Sequence, residues 1–345
     1  VVTTPVGAVP RVRTTLGAGD QLGALRVRLG IGRDHYDVTP GLYAVGQPTP
    51  QSPVLLSANY KLSFDQLRSV LGGRDLWILV LDTRGINVWC AAGKGTFGTA
   101  EIVRRVQATA LDQIVGHRKL IAPQLGAPGI RAHEVKQACG FRIYFGPVRA
   151  TDLAAYLDTG MQVTPEMRRV RFGLTDRALL VPVELVGGAR YALGLALLFA
   201  LLGGLSAAGY SLDDVKSTGL VAASVILATF VAATALGPLL LPVLPGRAFA
   251  LKGALLGGLL VALLLGLAWP GLWTLSTVLH AAAWALLVPA LTSFALMNFT
   301  GATTFTSLSG VLREMKIALP IQIGGAVVGL ALWLTSLFVR GGGAL

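Results

Sequence analysis

The sequence is poor in cysteine, poor in charge, and short of acidic residues to balance its basic ones. Two cysteines in 345 residues exclude a disulfide-stapled secreted scaffold and a four-cysteine zinc or iron–sulfur site held by this chain alone. Charged residues make up 13% of the chain, about half the share usual in soluble proteins. The shortage is local: residues 1–188 hold 22 basic and 14 acidic residues, and residues 189–345 hold seven and three. With a mean hydropathy of +0.66, the chain reads as a polar domain followed by a membrane domain. The net charge of +12 requires no nucleic acid partner, because much of it can reflect basic flanks of membrane helices beside anionic lipid. Val1 to Gly19 has no sustained apolar run, so no signal peptide is expected there.

Five apolar stretches, near 190–208, 219–243, 249–268, 272–296 and 317–339, are long enough to cross about 30 Å of hydrocarbon at about 1.5 Å per residue. They predict an all-α transmembrane domain of five helices. The glycine pairs Gly203-Gly204, Gly257-Gly258 and Gly324-Gly325 suit close helix–helix approach. Pro238, Pro242 and Pro245 are expected to end or distort the second span. Arg190 and the Arg168-Arg169-Arg171-Arg177 cluster precede span one, Arg247 and Lys252 separate spans two and three, and Arg313 and Lys316 separate spans four and five. The positive-inside rule then predicts a multi-pass protein of the inner (cytoplasmic) membrane, with its N-terminal domain cytoplasmic and its C-terminus outside. The hydroxyl-rich loop from Asn298 to Lys316 falls on the same side as the polar domain. Helix capping accounts for its Thr and Ser, and closure over a ligand is a second role. His280 is the one titratable residue deep in a span, read as a packing or interfacial histidine or as a relay. The membrane half reads as an anchor and platform.

In the polar half, short β-rich runs alternate with helical stretches. Trp77 to Leu81, Leu120 to Ala122 and Phe141 to Phe145 read as strands; Thr99 to Val115, Ala132 to Cys139 and Asp152 to Leu157 read as helices. The alternation predicts a parallel, Rossmann-like α/β sheet with its ligand at the carboxyl ends of the strands. Residues 1–60 are read as an extension packed on this domain, with strands at Leu25 to Leu29 and Val54 to Leu56 and a Pro-rich loop over 40–53. Residues 61–188 are read as the α/β domain and 189–345 as the membrane domain.

The segment from Asp82 to Thr99 contains G-x-G-x-x-G at Gly93, Gly95 and Gly98. A dinucleotide fingerprint follows its strand directly and has an acidic residue about 20 positions on; here a long insert intervenes and position 118 is Arg. A phosphate loop fails too, since Val88 stands where its first Gly belongs and Gly95 where its Ser or Thr belongs. Cys90 is followed by Ala91, Ala92 and Gly93, so there is no C-x-x-C pair. A lone Cys can be a small buried hydrophobe. Alternatively, proximity to a helix start and to Lys94 favours the thiolate, and the Ala/Gly run clears space for a large flat ligand.

Asn87-Val88-Trp89-Cys90-Ala91-Ala92-Gly93-Lys94 resembles the cap-helix motif of the mercury-methylating corrinoid proteins, the HgcA family. The resemblance extends to His117–Pro128 (HRKLIAPQLGAP), Phe145–Ala150 (FGPVRA), Pro165–Phe172 (PEMRRVRF) and Asn298–Gly310 (NFTGATTFTSLSG). The corrinoid iron–sulfur proteins of acetyl-CoA metabolism are also similar to this domain, but lack the Cys and carry a cysteine-ligated cluster that two cysteines cannot supply. The D-x-H-x-x-G motif of proteins that ligate cobalt through His is absent: Asp34-His35, His117 and His133 do not fit it.

The resemblance implies a corrinoid-binding domain holding base-off cobalamin, with Cys90 as the lower axial ligand of cobalt and as the catalytic residue. It implies a methyltransferase that passes the methyl group of a methylcobalamin-type cofactor to Hg(II), giving methylmercury. The alternative is a corrinoid methyl carrier of one-carbon, acetyl-CoA-pathway metabolism. The implied partner is a ferredoxin-like protein of the HgcB type with two [4Fe-4S] clusters, serving as reductant and mercury donor. Within the motif, Asn87 would hydrogen-bond near the corrin or cap the helix, and Trp89 would pack in the core or touch the macrocycle. Val88, Ala91, Ala92, Gly93 and Gly95 would line the corrin, and Lys94 would meet a corrin amide, the nucleotide-loop phosphate or solvent. Cys139, before Gly140, reads as structural, and His117 and His133 as surface or loop residues.

Overall fold

The computed structural model describes residues 1–267, 274–299 and 308–339. Among them the chain divides into two compact units, Val1–Arg171 and Phe172–Leu345.

The first unit is a mixed α/β sheet domain. Its strands are β1 (Val2–Thr4), β2 (Gly7–Val9), β3 (Gly41–Val45), β4 (Val54–Ala58), β5 (Leu76–Leu81), β6 (Lys119–Ala122) and β7 (Arg142–Phe145). β1 and β2 form a small antiparallel hairpin, and the other five make one sheet in the order β3-β5-β4-β6-β7. β5, β4, β6 and β7 run parallel, while β3 closes the edge antiparallel to β5, with Tyr43 opposite Ile78. The helices are α1 (Ala18–Arg28), α2 (Lys61–Ser69), α3 (Val88–Lys94), α4 (Thr99–Ala108), α5 (Leu111–Ile114), α6 (Ala132–Cys139) and α7 (Leu153–Asp158).

The apolar run of β5 is unbroken because both faces of the strand are covered. Trp77, Leu79 and Leu81 join one core with Ala91, Ala92, Phe97, Ile102 and Val135; Leu76, Ile78 and Val80 join another with Phe64, Leu153 and Tyr156. From β4 the chain crosses to β5 on one side and then returns past β4 to β6 on the other. The carboxyl ends of β4 and β6 therefore form a topological switch point, where open α/β sheets leave a crevice.

Several expectations are corrected. The sheet is not wholly parallel, since β3 lies inside the segment 40–53 read as a loop. A domain boundary at residue 60 would cut the sheet, because β4 is its central strand. Leu25 to Leu29 is helical, not extended. Its alternation mimics a strand, but α1 starts after Gly17, whose N–H donates to Asp20 Oδ2 at 3.1 Å, and is tied to α2 by ion pairs from Asp20 to Lys61 (2.6 Å) and Arg68 (2.7 Å). The helix expected over Thr99 to Val115 breaks at Ala110, which has φ +43°.

Among its described residues, the second unit contains five helices long and apolar enough to cross a membrane: Leu174–Leu202, Leu212–Leu240, Phe249–Leu267, Leu275–Asn298 and Gly310–Val339. The first begins well before the expected position near 190. Gly173 donates to Asp176 Oδ2 at 2.9 Å at its start, Pro182 occupies the first turn of Val181–Leu202, and this helix crosses residue 189 without a break. The second contains two π-helical turns, Val215–Gly219 and Ala232–Leu236. Gly203 and Gly257 are sites of close approach, where an added Cβ would lie 2.4 Å from Gly219 Cα and 2.2 Å from Thr292 Oγ1; Gly258 and Gly324 face open space. His280 Nε2 accepts from Trp284 Nε1 at 3.0 Å, and its Nδ1 lies 3.4 Å from Ser336 Oγ. Residues 300–307 of the hydroxyl-rich loop and the Trp269–Trp273 turn lie outside the described residues.

Candidate functional site

β5 ends at Leu81, and the chain turns through residues 82–87 before entering α3. Three contacts fix this turn. Asp82 N donates to Glu101 Oε1 at 2.8 Å, and Glu101 is itself held by Arg104 and Arg105. Asn59, immediately after β4 and 2% exposed, presents Oδ1 to Thr83 N (3.0 Å), Thr83 Oγ1 (2.7 Å) and Gly85 N (3.0 Å). Asn87 then caps α3: its backbone is extended and its Oδ1 accepts from Cys90 N at 2.9 Å.

α3 has two contrasting faces. Ala91 and Ala92 are buried in the sheet core. Cys90, Gly93 and Lys94, spaced i, i+3 and i+4, share the exposed side. Val88 and Trp89 are half-buried, Val88 against the core. A Cβ built on Gly93 would meet nothing within 4 Å, so the helix face one turn on from the exposed Cys90 is open. Gly95 ends the helix at φ +79°, a left-handed conformation that glycine adopts without steric cost.

The helix sits low because its underside is nearly bare. It packs on β4 and on the 3₁₀ helix Gln124–Gly129 that follows β6, and so lies at the switch point. An added Cβ at Gly129 would lie 2.2 Å from Phe97 O and 3.1 Å from Ala92 Cα; one at Gly98 would lie 2.8 Å from Gly95 O. Gly95, Gly98 and Gly129 thus serve a tight helix-to-helix connection, which accounts for the last two glycines of G-x-G-x-x-G without a dinucleotide.

The two cysteines differ. Cys90 is exposed, whereas Cys139 is half-buried and its Sγ donates to Val135 O at 3.2 Å. Burial pushes the Cys139 thiol above its ordinary range, against the opposing effect of a backbone hydrogen bond. His133 is exposed on α6. His117 lies at the amino end of β6, away from α3; its Nδ1 accepts from Lys119 N (3.2 Å), so its Nε2 donates to Ser52 O (2.9 Å). Asn59, Thr83, Glu101 and Gly129 were not singled out from sequence. The available signal was Asn59's place after five apolar or small residues, at the carboxyl end of a strand.

Residues 26–156 match the family model for the CO dehydrogenase/acetyl-CoA synthase delta subunit. The chain is 30% identical over 128 residues to the acetyl-CoA decarbonylase/synthase complex subunit gamma of Archaeoglobus fulgidus, covering 36% of this chain and 27% of that protein. It is 33% identical over 129 residues to the same subunit of Methanopyrus kandleri, again 36% and 27%. For Methanothermobacter thermautotrophicus the figures are 29% over 123 residues, 35% of this chain and 26% of the relative. The chain thus spans only about a quarter of the curated relatives it matches, and the family match ends before the first membrane-length helix.

Proposed function

We propose that this protein is a membrane-anchored corrinoid protein of methyl transfer, whose cobalt the Cys90 sulfur would hold. The observation that carries the proposal is an exposed thiol on an uncovered helix face at the sheet's switch point. The relatives, gamma subunits of acetyl-CoA decarbonylase/synthase complexes, support the corrinoid part together with the resemblance to corrinoid iron–sulfur proteins.

The residues present fit such a group. A flat macrocycle needs an approachable surface and one donor atom projecting from it; Gly93 and Gly95 leave the surface open beside Cys90. When bound, the corrinoid supplies a cobalt-held methyl group that an acceptor can take. Cys90 would hold that metal through a soft, electron-rich sulfur donor. Asn87 engages the Cys90 N–H, and Ala91, Ala92 and Gly129 hold the helix against the sheet. Lys94, exposed on the same face, is suited to a polar or anionic periphery of the ligand.

Two acceptors compete. The relatives favour a methyl carrier of one-carbon metabolism. Cys90 favours the sharper reading, Hg(II) as substrate and methylmercury as product: a Cys90 thiolate would be a soft, electron-rich donor to the cobalt, suited to a group that gives up methyl with its bonding electrons to a soft acceptor. In that reading a ferredoxin-like partner with two [4Fe-4S] clusters supplies electrons and mercury, and the basic loops favour a cytoplasmic α/β domain. The test is a product assay with the full-length, corrinoid-loaded, methylated protein under anaerobic conditions, offered Hg(II) or a reduced pterin. Methylmercury formation that requires Cys90 supports the mercury reading; transfer to the pterin alone supports the carrier; absence of any bound corrinoid rejects both.

A further inference from the structure

The cap helix does not position itself. It has only seven residues, too short to hold its own geometry in water, and it hangs from a turn that makes no ladder contact. The middle of that turn gathers around a single atom. Asn59 Oδ1 receives two backbone N–H groups, from Thr83 and Gly85, and the Thr83 hydroxyl lies 2.7 Å from both Asn59 Oδ1 and Ile86 O. Two consecutive left-handed residues, Arg84 (φ +58°) and Gly85 (φ +69°), bend the chain so that both amides reach the same oxygen. Such a conformation is uncommon for arginine and persists only when its surroundings hold it. With two backbone donors converging on it, the amide has one orientation, Oδ1 toward the turn. Its own backbone carbonyl accepts from Val38 N at 2.8 Å, so Asn59 is fixed before the turn is added.

We infer that Asn59, acting with Thr83, is a positioning residue that sets where Cys90 Sγ stands at the carboxyl ends of the strands. The inference rests on the proposed corrinoid role of Cys90. A buried amide serves where an apolar residue would not, because the amides of residues 83 and 85 would otherwise lose their partner. The turn, the Asn87 cap and Cys90 are consecutive, so displacement of the turn moves the thiol.

The experiment uses the full-length protein in lipid nanodiscs, as wild type, Asn59→Ala, Thr83→Val and Thr83→Ser. Hydrogen exchange of residues 83–90 is measured without corrinoid, and the electron paramagnetic resonance spectrum of the Co(II) form is recorded after loading. Asn59→Ala is expected to exchange at least tenfold faster at Gly85 and Cys90, Thr83→Val severalfold faster, and Thr83→Ser as wild type. In the loaded protein, Asn59→Ala and Thr83→Val should keep bound corrinoid but lose the sulfur-ligated signal in part or whole. A merely structural role would lower corrinoid content and leave the signal of the bound fraction unchanged, and that result overturns the inference. If Asn59→Ala fails to fold, Thr83→Val decides: wild-type exchange and spectrum overturn the inference. Faster exchange in variants of a wild type that never shows a sulfur-ligated signal would reject the corrinoid reading of Cys90 and leave Asn59 as the residue that holds the turn.

Discussion

Asn87 Oδ1 accepts the backbone N–H of Cys90 at 2.9 Å, so the side chain that starts α3 is bonded to the residue whose thiol the helix presents. Sequence alone left Asn87 between a cap and a ligand contact. The structure gives it the cap. The arrangement leaves Cys90 Sγ on the outer face while its main chain is held from within.

Replacing this cap should have a local and measurable cost. Asn87→Ala is expected to destabilise the protein by about 1 kcal/mol, the usual loss for such a cap, whereas Asn87→Asp should stay within a few tenths. Thermal unfolding of the full chain in detergent, followed by tryptophan fluorescence, reads the difference. Equal midpoints for wild type and Asn87→Ala would count against a capping role.

Two glycines make opposite predictions. Gly93 faces open space and Gly129 faces Phe97 O and Ala92. Gly93→Leu should leave stability unchanged or raise it by up to about 1 kcal/mol, since glycine is a poor helix former, while weakening corrinoid binding at least tenfold. Gly129→Ala should lower stability by about 1–3 kcal/mol through overpacking. Equilibrium titration with a corrinoid and denaturation of the same samples separate the two effects. Wild-type corrinoid affinity in Gly93→Leu would show that the ligand does not lie on this face.

An electrostatic anchor lies away from the site. The Lys61 ammonium, aided by Arg68 and the Gly17 N–H, holds the Asp20 carboxyl well below its ordinary range, against the opposing cost of burial. A carboxyl depressed in the folded state contributes stability that is complete above its unfolded pKa of about 3.9 and declines as pH falls toward the folded value. Asp20→Asn should therefore cost more stability at pH 7 than at pH 3. Measuring both proteins at both values checks the sign; a gap that widens in acid would contradict it.

How much of this could be read in advance depends on whether local pattern or distant contact decides. β5, β6 and α6 were legible because their apolar runs and the Gly140 stop are local signals, and the membrane-length helices because length and apolarity suffice. α1 was misread because Leu25 to Leu29 alternates like a strand; Asp20 to Lys61 and Arg68, far apart in sequence, determine the outcome. β3 was hidden by the flanking prolines and becomes a strand only by pairing with β5. In the site, Cys90 stood out by its company of Trp, Ala and Gly. Asn59 did not, because its meaning comes from three donors 24 to 26 residues away.

The most direct test of the central claim is cobalt K-edge X-ray absorption on the full-length, corrinoid-loaded protein and on Cys90→Ala. The account predicts one sulfur scatterer in the first cobalt shell of the wild type and none in Cys90→Ala, with corrinoid still bound in both. A wild-type spectrum with only nitrogen and oxygen neighbours, the same as that of the variant, would contradict it.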